Sequence, residues 1–67
     1  MNNSLYKALI SHYNARKDEA IAIIETYLHK SVGIGEHSNL LDELKKWTAI
    51  LAEADEAMQV LEKYFKE

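Results

Sequence analysis

The segment Leu40-Leu41-Asp42-Glu43-Leu44-Lys45-Lys46-Trp47-Thr48-Ala49-Ile50-Leu51-Ala52-Glu53-Ala54 decides the fold. Leu40, Leu44, Trp47, Leu51 and Ala54, continued by Met58, Leu61 and Phe65, recur at intervals of 4, 3, 4, 3, 4, 3 and 4. A mean spacing near the helical turn returns these side chains to one side of an α-helix, whereas a strand would scatter them over both faces. Ile50, Ala57, Val60 and Tyr64 widen the stripe on one flank, so the apolar face is broader than a two-stranded seam. Ser38 and Asn39 are good N-cap residues, and Asp42, three residues beyond Asn39, forms a partial capping box. Asp42 and Glu43 also suit the positive end of the helix dipole. The spacing predicts a helix over 39–66, a rod of about 40 Å at ~1.5 Å per residue.

Upstream lies Ser31-Val32-Gly33-Ile34-Gly35-Glu36-His37, which holds both glycines of a chain that has no proline. Gly33 can supply the left-handed residue that stops a helix, with Ile34 folding back on Leu28 as the apolar contact of a Schellman-type cap. The loop is expected over 32–38. Before it, residues 3–31 are expected to form a second helix, with Leu5, Leu9, Tyr13, Ala20, Ile24 and Tyr27 near one face and Ile10, Ile21, Ile23 and Leu28 beside them. His12, Asn14, Arg16, Lys17 and Asp18 interrupt this stripe. One continuous helix is expected, with a break at Asn14 capping a second segment from Ala15 as the alternative. Helices of matched length joined by a short connector favour antiparallel neighbours, so the expected fold is an all-α helical hairpin in one domain, 1–67.

Sixty-seven residues build only a thin core, and below roughly 70–80 residues such a core seldom supplies more than ~3–5 kcal/mol. With no cysteine, neither a disulfide framework nor a thiolate zinc site can reinforce it. Self-association is the remaining remedy. A homodimer forming a four-helix bundle is the first expectation and a higher oligomer the second, with Leu44, Trp47, Ile50, Leu51, Ala54, Met58, Leu61 and Phe65 as interface candidates. The composition is 48% apolar, as in globular chains, but no run approaches the ~20 residues of a membrane span. The first residues lack the basic start and apolar stretch of a signal peptide, so a cytoplasmic location is expected. A net charge of −3 disfavours a nucleic-acid partner.

Few residues suggest chemistry. Gly33-Ile34-Gly35 before a helix could offer backbone N–H groups to an anion, but no strand precedes it, no Gly-Lys-Ser/Thr follows, and Glu36, Asp42 and Glu43 repel phosphate. A stop and turn is the plainer account. His12, His29 and His37 belong to no metal-binding or acid–base motif, and Glu25 with His29 is only a surface i, i+4 pair. No catalytic constellation, metal site or cofactor is expected, and the chain is not expected to be an enzyme. Lys45 and Lys46, with an expected Asp42–Lys46 pair, and the acidic edge of Glu53, Asp55 and Glu56 suit a solvated face.

One cluster suggests more. Tyr13, Arg16 and Lys17 fall at i, i+3 and i+4, placing an aromatic ring beside two cations. Such a face could stack on a base and hold its phosphate, with two protomers closing around one small anionic ligand. Equally, Tyr13 fits the core stripe and the cationic stems can lie over apolar surface.

The loop Val32-Gly33-Ile34-Gly35-Glu36-His37, followed by Ser38 and a Leu-rich helix with Ala52-Glu53-Ala54-Asp55, resembles small helical-hairpin proteins of tailed, T4-like bacteriophages. The resemblance covers roughly residues 20–65. It brings no assigned activity and so no functional residue. It implies a phage-encoded accessory protein acting in the infected host. Two functions follow as expectations: a non-enzymatic, self-assembling module that binds a host or phage protein, or a binder that sequesters a nucleotide signal of host defence.

Overall fold

The computed structural model describes residues 3–30 and 37–66. They form two helices, α1 (Asn3–Lys30) and α2 (His37–Phe65), and the chain extends 52 × 14 × 13 Å. Arg16 lies over Trp47, while Leu9 and Tyr13, earlier in α1, meet Ala57 and Leu61, later in α2. Contacts that run in opposite directions along the two helices make the pair antiparallel. The chain is an all-α helical hairpin.

α1 passes through Asn14 without a break. Asparagine inside a helix costs only some tenths of a kcal/mol relative to good helix formers, and the Arg16–Glu19 pair offsets part of that locally. Further along α1, Thr26 Oγ1 donates to the Ala22 carbonyl at 2.8 Å and His29 Nδ1–H donates to the Glu25 carbonyl at 2.7 Å. Both side chains fold back on their own helix and leave its course unchanged.

The register corrects the expected face of α1. Its half-buried or buried residues include Tyr6, Ile10, Tyr13, Lys17, Ala20, Ile24 and Tyr27, spaced 4, 3, 4, 3, 4 and 3, with Arg16 and Ile23 on one flank. Leu5 is 65% exposed, and Leu9, Ile21 and Leu28 also lie outside the seam. The seam of α1 therefore matches the interval pattern of α2, with Lys17 as its one charged member. A lysine fits there because its stem can lie along apolar surface while the ammonium reaches water.

α2 begins at His37, two residues before the expected first residue. Asn39 thus sits inside the first turn and not at the cap, a position where backbone N–H groups lack partners four residues back and asparagine costs little. Asp42 and Glu43 move into the second turn, where the dipole acts more weakly. The expected left-handed stop at Gly33 and its Ile34–Leu28 contact lie outside the described residues.

Only Ala20 (0% exposed), Ala54 (1%) and Leu40 (9%) are buried among the described residues, and no large side chain is fully enclosed. Two of these three are alanines, one on each helix. Small residues in the seam let the backbones approach, and larger neighbours such as Trp47, Leu51 and Met58 then cover the line of contact while staying half exposed.

Candidate functional site

Where Leu9 and Tyr13 of α1 meet the last three turns of α2, the hairpin forms an open groove of about 480 Å³. Tyr13, Ala57 and Leu61 are its more buried lining residues, and Leu9 and Val60 are its exposed apolar walls. Glu53 and Glu56, one helical turn apart on α2, make its rim acidic. The edge of the His12 ring packs against Tyr13, with centroids 4.8 Å apart and planes at 77°.

The three candidate ligand residues do not converge. Tyr13 lines the groove, but Arg16 and Lys17 do not. The Arg16 guanidinium crosses the seam to stand 5.3 Å from the Trp47 ring centroid, and Nη1 donates to Glu19 Oε1 at 2.9 Å. Both of its commitments are thus internal. Lys46 approaches the same indole at 5.4 Å, so the expected pairing partner of Asp42 lies beside Trp47. Lys17 occupies the seam.

The interface candidates divide in two. Leu44, Trp47, Leu51, Ala54, Met58 and Leu61 belong to the seam between the two helices of one chain, and Ile50 flanks it. All but Ala54 keep part of their surface open. Phe65 continues the seam spacing but is 62% exposed. Beside it Tyr64 is 64% exposed, its ring 6.4 Å from that of Phe65 and tilted by 59°. The Lys63 ammonium stands 5.2 Å from the Tyr64 centroid.

Sequence reasoning missed Leu9 and Val60 as groove walls and took Glu53 and Glu56 for a solvated edge. Folding the two helical stripes back to back about the glycine loop would have set Leu9 opposite the turn holding Ala57 and Val60. That register was the available signal.

A second apolar depression lies wholly on α2, between Leu41, Leu44, Thr48, Ala49 and Ala52. Among the described residues no group of His, Asp or Glu could hold a metal ion, and no helix is long and apolar enough to cross a membrane. No family of proteins, no curated protein and no solved structure matches the chain.

Proposed function

We propose that the chain is a non-enzymatic helical module that assembles with copies of itself and, so assembled, presents a surface to a protein partner. The observation that carries this reading is surface area. The chain exposes 5176 Å², whereas a compact monomer of 7.7 kDa exposes about 4,300 Å². The excess is close to the ~800 Å² that each partner gives up in a standard interface. Much of it is apolar, from Leu5, Leu9, Val60, Tyr64 and Phe65 near one end of the hairpin and Leu28 and Leu41 near the other. A dimer is the first assembly in this reading. An open, shallow groove suits association better than catalysis, which benefits from an enclosed, water-excluding pocket.

The phage setting, and with it a host cytoplasmic location, rests on the resemblance of the Val32–His37 segment. The alternative, sequestration of a small anionic nucleotide between protomers, rests on Tyr13, Arg16 and Lys17. The ion pair of Arg16 and the acidic rim beside Tyr13 both weigh against it. Light scattering across the micromolar range tests the leading reading. The expected result is a mass at least twice 7.7 kDa, with a melting temperature that rises with protein concentration. A constant mass near 7.7 kDa overturns it. Heat on titration with nucleotides, lost in Arg16→Ala while assembly persists, would favour the alternative.

A further inference from the structure

We draw no further inference here: the strongest candidate, the open apolar groove between Leu9, Tyr13 and the end of α2 with its acidic rim of Glu53 and Glu56, carries nothing because nothing in the structure shows what covers it.

Discussion

α1 and α2 present seam residues at the same intervals, yet they use them differently. Every residue at the main seam positions of α2, from Leu40 to Leu61, is apolar, and α2 holds two of the three buried residues. α1 places Lys17 in its seam and leaves Leu5, Leu9, Ile21 and Leu28 outside it. The seam of α2 is apolar throughout while that of α1 admits a lysine, yet α2 too leaves large apolar residues outside the contact, Leu41, Val60, Tyr64 and Phe65. The difference between the helices is thus in the seam itself, and both supply apolar surface that the hairpin does not use. The wall that Leu9 gives to the groove is one result.

The comparison breaks most readily at the alanines. Ala20→Glu on α1 and Ala54→Glu on α2 each force a carboxylate into the most buried position of its helix. Burying an unpaired charge costs at least several kcal/mol even after relaxation, comparable with the whole stability of so small a domain. Both variants should lose most of their helical circular dichroism at 25 °C. If one keeps its signal and melting temperature, its helix does not approach its neighbour at that alanine.

Smaller losses should follow at the leucines of α2. Leu51→Ala and Leu61→Ala should each cost about 1–2 kcal/mol in urea denaturation, less than the ~2–5 kcal/mol of a fully buried leucine because both are half exposed in the single chain. Ile24→Ala on α1 should match them if the two seams are equivalent. A cost above that range at Leu61 alone would mean that assembly buries its remaining surface.

The legibility of the two helices follows the same division. α2 could be read from its sequence because every position of its 4, 3 stripe from Leu40 to Leu61 is apolar and at least half-buried, so periodicity and burial pointed to the same positions. In α1 they do not coincide. Leu5 and Leu9 sit four residues apart, like Tyr6 and Ile10, and hydrophobicity alone favours the leucines. The phase that folds is the one complementary to α2, which is tertiary information. Lys17 hid the pattern further, since a charged residue in a seam looks like an interruption until its stem is considered. The groove was less legible still. Glu53 and Glu56 acquire meaning only when Leu9 and Tyr13 are brought alongside, and no spacing within α2 states that. Arg16 was identified for its charge, whereas the structure commits that charge to Glu19 and Trp47.

Lys17→Leu would sharpen the comparison by giving α1 the all-apolar seam of α2. A leucine at this half-buried position can cover as much apolar surface as a lysine stem, without the entropy lost in ordering a long charged chain. The variant should be more stable by about 0.5–1 kcal/mol, measured as a higher urea midpoint at unchanged slope. A destabilised variant would show that the Lys17 ammonium makes a favourable contact in the assembled form.

The smallest expected effect separates the two partners of Arg16. Its ion pair with Glu19 joins side chains that are 42% and 50% exposed, so solvent screens it, and such pairs contribute about 0.2–0.5 kcal/mol. Its approach to Trp47 joins the two helices and, as a cation–π contact, contributes about 0.5–1 kcal/mol at a partly exposed site. Glu19→Ala should therefore cost less than Arg16→Ala, and 1 M salt should remove most of the Glu19 effect while leaving much of the other. A double-mutant cycle between Arg16→Ala and Trp47→Leu should return a coupling near the difference of the two single losses. Zero coupling would mean that the guanidinium gains nothing by crossing the seam. Arg16 would then be held only by a weak exposed pair, easily given up to an anion, and the case for a nucleotide ligand beside Tyr13 would regain what the observed geometry takes from it.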